Sequence, residues 1–354
     1  MSSLFDPLTL RAVRLPNRIA VAPMCQYSAE DGLPGDWHLV HLGSRAVGGA
    51  GLVLTEATAV TPQGRISPQC TGIWSDAHVA AWQPITRFLR AHGAVPAIQL
   101  AHAGFKASAY RPWEPRQGGV PDDAGGWTPV GPGGVAFRPD YRVPTALDLA
   151  GIGAVVEAFR AAATRAVAAG FAAVEIHAAH GYLLHEFLSP LTNQRRDGYG
   201  GDRANRMRLA LEVTRAVRAA VGDTVPVLVR ISGTDWVDGG WDVDDSVALA
   251  GELAAAGADL IDCSSGGAAP RADIPVGPGY QVAIAERIRR EAGVATGAVG
   301  LITEPEQVEA IIAGGAADLV LLGRELLREP YWPHHAAARL GHRSPWPAQY
   351  RRAV

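Results

Sequence analysis

At 354 residues the chain has room for two average domains or for one large α/β barrel with insertions. An apolar content of 48% with 19% charged residues fits a protein that buries a large core, and a formal net charge of −3 gives no electrostatic reason to expect nucleic acid. Cys25, Cys70 and Cys263 are widely spaced and odd in number, which makes neither a disulfide framework nor a zinc site and points to a reducing compartment. The opening MSSLFDPLTL lacks a basic segment followed by an apolar one, and no apolar run reaches spanning length. The expectation is a soluble cytoplasmic protein without a membrane partner.

Within residues 1–17, short apolar pieces alternate with Pro7, Arg14 and Pro16, which predicts an N-terminal β-hairpin. Residues 18–24 (RIAVAPM) read as a first buried strand that stops at Cys25, Gln26 and Tyr27. A helical pattern over 37–48 follows, ended by glycines before a strand at 52–56. That module recurs: a helix end rich in Ala and Gly precedes a short β-branched run at 46–56, 166–176, 253–263 and 311–323. Further strand candidates lie at 94–100, 225–231 and 295–299. Eight candidate strands result, at 18–24, 52–56, 94–100, 172–176, 225–231, 259–263, 295–299 and 317–322. This count predicts a single-domain α/β fold of the (β/α)8 TIM barrel type over residues 1–354. No GxGxxG turn follows the first strand, which weakens an open dinucleotide-binding sheet.

One interval breaks the rhythm. Residues 107–145 are rich in Pro and Gly and carry Trp113, Trp127, Phe137 and Tyr141, too irregular for an ordinary connection and too aromatic for a disordered linker. A lid or pocket wall over the catalytic face is expected, with an oligomer contact as the alternative. The tail at 341–354, with PWPAQYRRAV, is aromatic and basic and is expected to dock on a surface, here a dimer interface.

Polar residues gather where the strands are expected to end: Cys25 and Tyr27, Glu56 and Thr58, Gln99 and His102, then His177, His180 and Tyr182, then Arg230, then Gly323 with Arg324. So many polar strand ends on one rim mark a site. Separately, GAVG (297–300) and LLGRELL (321–327) are glycine turns leading into helices, where barrel enzymes hold phosphate. A phosphate-bearing cofactor follows from position, but not its identity. Two histidines followed by a tyrosine at the end of one buried strand could be donors in a cleft or simply satisfied by backbone. A zinc site fits poorly, because no third ligand of usual spacing is apparent.

The segments RIAVAPMCQYSA (18–29), TEATAVTPQGRIS (55–67), IQLAHAG (98–104), EIHAAHGYLLHEFLSPLTNQRRDGYGG (175–201), LIDCSSG (260–266), ATGAVG (295–300) and LGREL (322–326) resemble the Old Yellow Enzyme family. Within it they are similar to the thermophilic-like and xenobiotic-reductase-like ene-reductases, marked by Cys25 with Tyr27. The resemblance spans nearly the whole chain. It implies non-covalent FMN, NADPH or NADH as reductant, and an NADPH dehydrogenase that reduces activated C=C bonds of α,β-unsaturated carbonyls, maleimides and nitro compounds. Carried over by motif, Ala22, Pro23, Met24, Cys25, Ala57, Gln99, His177, Arg230, Gly300, Gly323 and Arg324 would contact FMN. Cys25 would tune the flavin, and Arg230 would lie at its N1/O2 edge, where positive charge favours the reduced ring.

His177 and His180 would donate hydrogen bonds to the substrate carbonyl, on which negative charge develops as hydride arrives. An i, i+3 pair cannot share a face in an extended strand, so the chain must turn before Gly181. Tyr182 would protonate the α-carbon, since a phenol keeps its proton at neutral pH. Tyr27 would offer its hydroxyl across the pocket. His102 and Lys106 are expected to be secondary, and His185, Glu186, Cys70 and Cys263 structural. In this subclass a neighbouring subunit lends an arginine to the site, and Arg352 matches best, giving a homodimer or homotetramer with shared sites. Phe105 departs from the subclass, where an arginine is frequent, and the 107–145 loop is longer than in compact members. Ping-pong turnover in one pocket would explain the lack of a dinucleotide domain. Competing readings are another FMN barrel acting on dihydropyrimidine or tRNA, or a flavin-binding stress sensor with residual reductase activity. Three scattered cysteines and the length argue against iron–sulfur relatives.

Overall fold

The computed structural model describes residues 3–353. A two-stranded antiparallel hairpin, β1 (Leu8–Leu10) and β2 (Val13–Leu15), comes first. The chain then runs through β3 (Ile19–Val21), α1 (Asp36–Val47), β4 (Leu52–Ala59), α2 (Asp76–Ala91) and β5 (Val95–Ala101). After the long loop, which holds the small pair β6 (Val130–Gly131) and β7 (Thr145–Ala146), come α3 (Leu149–Ala168), β8 (Ala173–Ala178), α4 (Leu183–Leu188) and α5 (Arg203–Val221). The remainder is β9 (Val227–Ser232), α6 (Val243–Ala255), β10 (Leu260–Ser264), α7 (Val282–Ala292), β11 (Ala295–Ala298), α8 (Pro305–Ala313) and β12 (Leu319–Leu322), then α9 (Arg324–Arg328) and α10 (Trp332–Arg339). Strands β3, β4, β5, β8, β9, β10, β11 and β12 pair in that order and all in parallel, and β12 returns to β3 to close the barrel. This is the expected (β/α)8 barrel with its hairpin and long loop.

Local chemistry sets the helices. Asp148, Asp202 and Asp242 each accept a hydrogen bond from the backbone N–H three residues on, at 2.7, 2.9 and 2.9 Å, and so cap α3, α5 and α6. In α3 the buried residues Ile152, Val155, Phe159, Ala162, Ala163 and Ala166 fall on one stripe that packs against the barrel wall.

The barrel interior is graded along its axis. Near the N-terminal ends of the strands it is filled by Ala20, Leu52, Leu54, Ala97, Ala173, Leu228, Leu260, Leu319 and Leu321. Leu10 and Leu15 of the hairpin join this cluster, so the hairpin plugs the N-terminal mouth. One step further along the same inward-facing positions come Gln99, Glu175, Arg230 and Asp262, all buried. Strand pairing places Gln99 opposite Glu175, and Arg230 opposite both His177 and Asp262.

Five strands run further than their sequence predicts, β8 to Ala178 and β10 to Ser264 among them. β4 continues to Ala59, β5 to Ala101 and β9 to Ser232. Gln99 and Arg230 therefore sit inside the barrel rather than at its lip. Inside the barrel Gln99 bonds to Glu175 and Arg230 pairs with Asp262 on the neighbouring strands.

The tail folds back on its own chain. Trp346 stacks on His334 at 4.2 Å between ring centroids and on Tyr331 at 6.0 Å. Among the described residues no helix is long and apolar enough to cross a membrane. Phe159 is fully buried between α3 and the barrel. Phe159→Ala should cost about 3–5 kcal/mol of unfolding free energy in urea titration, with little change in the slope of the transition.

Candidate active site

The end of β8 carries the densest polar geometry. His177 is the last but one residue of the strand, and three residues later His180, with Gly181 after it, takes a left-handed conformation, the two φ being +61° and +70°. The turn foreseen at Gly181 thus includes His180 itself, a non-glycine in a region that L side chains seldom adopt. Gly181 is required by space as well, because a Cβ there would stand 2.1 Å from the carbonyl oxygen of Gly267. The turn is over-determined. The N–H of His180 donates to Ser232 Oγ at 2.9 Å, and that of Gly181 donates to His185 Nδ1 at 2.8 Å. His185 Nε2 in turn lies 3.1 Å from Asp235 Oδ1, both side chains wholly buried. Lys106 Nζ donates to the carbonyls of His180 and Gly267 at 2.8 and 2.6 Å, fastening the same turn from the β5 side.

This folding brings the three predicted residues together. The ring of His177 lies 5.0 Å from that of Tyr182 and 5.2 Å from that of His180, edge to face in both cases. Burial, and next the charge of Arg230, holds both imidazoles well below their ordinary range, so each is neutral with a single N–H. His180 Nε2 is engaged with Ser264 Oγ at 2.7 Å, which leaves Nδ1 for a ligand. His177 Nδ1 is buried without a partner, which leaves Nε2 facing the open side.

Burial pushes the Tyr182 phenol well above its ordinary value, and the Tyr27 phenol upward too. The Cys25 thiol is pushed up to about 12, by burial first and then by Glu56. Cys25, Tyr27 and Tyr182 share a cluster with Ala57, Ile66 and Cys70, so the residues after β3 and after β8 face one cavity wall. Every titratable group on this wall is neutral near pH 7. The charge lies beneath it.

That charge is Arg230, whose Nε stands 3.1 Å from Asp262 Oδ2, off line for a hydrogen bond. Its terminal nitrogens are left for whatever lies above. To one side, a cavity of about 210 Å³ is lined by Ser264, Gln281, Gly300, Gly323 and Arg324 among others. Gly300 sits at φ +123°, a backbone reserved for glycine. Among the described residues Arg324 has no ion-pair partner, and its helix N-terminus opens on the cavity. Backbone donors and a free guanidinium make an anion cradle.

The long loop reaches the same rim. Trp113 meets the Tyr27 ring edge-on at 5.6 Å, and the ring of Phe137 lies 4.1 Å from Lys106 Nζ. Phe105 is buried with its ring 5.2 Å from Phe137. Together with Val135, Leu191, Val237 and Ala268 they line an apolar cleft of about 330 Å³.

Some expected rim residues lie elsewhere. A register shift in β4 between Leu54 and Ala57 turns Glu56 outward, where it accepts from the N–H of Gln26 at 3.1 Å and meets His38 of α1 at 3.2 Å. Thr58 bonds to the carbonyl of Glu56 at 2.8 Å, and His102 Nδ1 accepts from the N–H of Gly104 at 3.1 Å. Arg352 is exposed in the tail, and the structure does not bring it to the His177–Tyr182 group. Sequence reasoning passed over Glu175, Asp262, Ser232, Ser264 and Gln281. The first two sit in the quoted motifs, and an isolated acid inside a buried strand run was the available signal. Among the described residues no group of three or more His, Cys, Asp or Glu could hold a metal ion.

Phosphate cradled between the last two strands of a barrel, with a cation at the centre of the rim, belongs to barrel oxidoreductases that carry a phosphorylated redox cofactor. The chain belongs to the NADH:flavin oxidoreductase / NADH oxidase family, which it matches over residues 3–342. It is 47% identical over 352 residues to an NADPH dehydrogenase of Halalkalibacterium halodurans, covering 99% of this chain and 98% of that one. Among solved structures it is similar to an Old Yellow Enzyme homologue from Zymomonas mobilis, with a TM-score of 0.80, 30% identity, and 96% and 93% of the two chains covered. It is likewise similar to morphinone reductase in complex with tetrahydroNAD, with a TM-score of 0.79, 29% identity, and 99% and 94% covered. It is thus an FMN-dependent NAD(P)H oxidoreductase of the Old Yellow Enzyme type.

The residues present fit FMN. The cradle offers donors for its phosphate, and among the described residues the terminal nitrogens of Arg230 take no hydrogen-bond partner, so they could serve an electron-rich ring. With its thiol at about 12, Cys25 is a poor nucleophile. Its alkylation by iodoacetamide at pH 8 should run about a thousandfold slower than that of a free cysteine, as followed by peptide mass spectrometry.

Proposed function

We propose that the chain is an ene-reductase that reduces activated C=C bonds of α,β-unsaturated carbonyls, maleimides and nitroalkenes. The observation that carries this reading is the pair of neutral imidazoles, His177 and His180, 5.2 Å apart from ring to ring, with the Tyr182 ring 5.0 Å from His177.

FMN, when bound, supplies the hydride. Gly300, Gly323 and Arg324 would hold its phosphate, while Ala22, Pro23, Met24, Cys25, Ala57, Gln99, His177 and Arg230 would surround its ring. The chain's own residues do the rest. His177 through Nε2 and His180 through Nδ1 donate to the substrate oxygen. A neutral donor costs the empty pocket no charge and strengthens its bond only as the oxygen becomes negative. Ser264 fixes the His180 ring, Ser232 and Lys106 hold its backbone, and the His185–Asp235 pair holds that of Gly181. Tyr182 holds a proton that burial makes hard to lose, so it is released only to a strongly basic carbon and does not leak to water. Tyr27 offers a second hydroxyl. Phe105, Phe137 and Trp113 exclude water and favour apolar substrates, with the 107–145 segment as the pocket wall. The nicotinamide and the alkene use one pocket in turn, which is ping-pong kinetics. Arg352 would complete the site of a partner subunit in a homodimer or homotetramer.

Two variants test the roles. In anaerobic stopped flow, Tyr182→Phe should keep flavin reduction by NADPH and lose about 10²–10⁴-fold in reoxidation by cyclohexenone. Undiminished reoxidation would remove Tyr182 as the proton donor. Arg352→Ala should raise the KM for the alkene, and an unchanged KM and kcat would end the shared-site reading.

A further inference from the structure

The charged layer beneath the rim contains a carboxyl that the reaction above does not use. Glu175 is fully buried on β8, two residues below His177. Its Oε1 accepts from Gln99 Nε2 at 2.8 Å, and its Oε2 has no hydrogen-bond partner. From β9 the layer presents Arg230, and from β10 Asp262. The other four strands give the interior Ala20, Leu54, Gly297 and Leu321, none of them titratable. Two carboxyls therefore share one guanidinium in a water-free layer. Asp262 stands in direct contact with it, Oδ2 being 3.1 Å from Nε though neither Asp262 oxygen makes a hydrogen bond, while Glu175 has only the Gln99 amide and no cation in contact. Two carboxylates against one guanidinium leave an excess of negative charge, and a proton on Glu175, the carboxyl with no cation in contact, removes it.

We propose that Glu175 is a positioning residue for the flavin chemistry, a proton store under Arg230 whose charge state sets how much of the guanidinium's field reaches the ring. The inference rests on the reading that Arg230 meets the flavin. Burial, and after it Asp262, pushes the Glu175 carboxyl up to about 8. Below that pH it is neutral in the oxidised enzyme, and Arg230 answers only to Asp262. Above it Glu175 is ionised and cancels part of the charge that favours the reduced ring.

The balance of the step follows. NAD(P)H gives the flavin a hydride, two electrons and one proton, and the ring gains negative charge beside Arg230. That charge raises the proton affinity of Glu175. Between about pH 8 and its raised value in the reduced enzyme, the carboxylate would then take a second proton from solvent, forming its O–H bond. Below about pH 8 the O–H is already present, and no second proton is taken up.

The test is the pH dependence of the flavin midpoint potential in the holoenzyme, read by spectroelectrochemistry. The wild type should show one proton per two electrons below about pH 8, then two over the interval between that pH and the higher one at which Glu175 ionises in the reduced enzyme. Glu175→Gln, a permanently neutral mimic, should show one throughout. A wild type with a single slope, or a Glu175→Gln variant that keeps the break, overturns the proposal. Where Glu175→Gln fails to hold flavin, Asp262→Asn serves instead. Removing that neighbouring charge should move the break to lower pH, and an unmoved break overturns the proposal. Arg230→Lys separates the underlying reading: a potential unchanged at every pH means that Arg230 does not meet the ring. A shifted potential with an intact break in Glu175→Gln means that only the Glu175 role fails.

Discussion

A guanidinium held inside a closed barrel is the constraint on which the rest of this structure turns. Arg230 has left water, and its partner Asp262 has done so completely. Such a pair adds little to stability compared with apolar side chains of the same volume, whereas removing one member costs about 3–5 kcal/mol. The barrel therefore keeps the pair for what lies above it. Its apolar half, the leucines near the N-terminal mouth and the hairpin that plugs it, supplies the hydrophobic burial that lets a charged layer exist one step higher. Above that layer the thiol, the phenols and the two imidazoles of the site are neutral. The site thus separates its fixed charge, below, from its hydrogen-bond donors, at the rim.

Much of this was legible in the sequence because strands buried on both faces are short β-branched runs, and the glycines between helix and strand mark each repeat. The residues at the end of β8 were legible for the same reason, since titratable side chains there have no place in a core. What the sequence could not resolve was depth. Glu56 and Glu175 both follow a buried run and look alike on paper. A register shift between Leu54 and Ala57 rotates Glu56 out to His38 of α1, while β8 runs straight and leaves Glu175 facing in. A single bulge reverses which face a side chain occupies, and nothing in the local residues announces it.

The long loop and the tail were hidden for a different reason. Their aromatics signalled that they pack, but the partners are far away in the chain. Phe137 is held by Lys106, and Trp346 lies on His334 and Tyr331. Contacts of that kind depend on the whole fold and carry no periodicity. Phe105, which departs from the arginine frequent in the resembling subclass, is explained once Phe137 is seen beside it, because the two rings form one apolar wall.

The left-handed backbone of His180 has a consequence for how such a site can diverge. At φ +61° the position tolerates glycine, asparagine, aspartate and histidine far better than any other residue. Glycine brings no side chain, and an ionised aspartate can only accept hydrogen bonds. Asparagine alone among the substitutes keeps an N–H to donate. A donor at position 180 therefore has a two-letter alphabet, His or Asn, whereas His177 on its straight strand is under no such backbone rule. Drift in a lineage of this enzyme would pass through one narrow gate at position 180 and a wider one at 177.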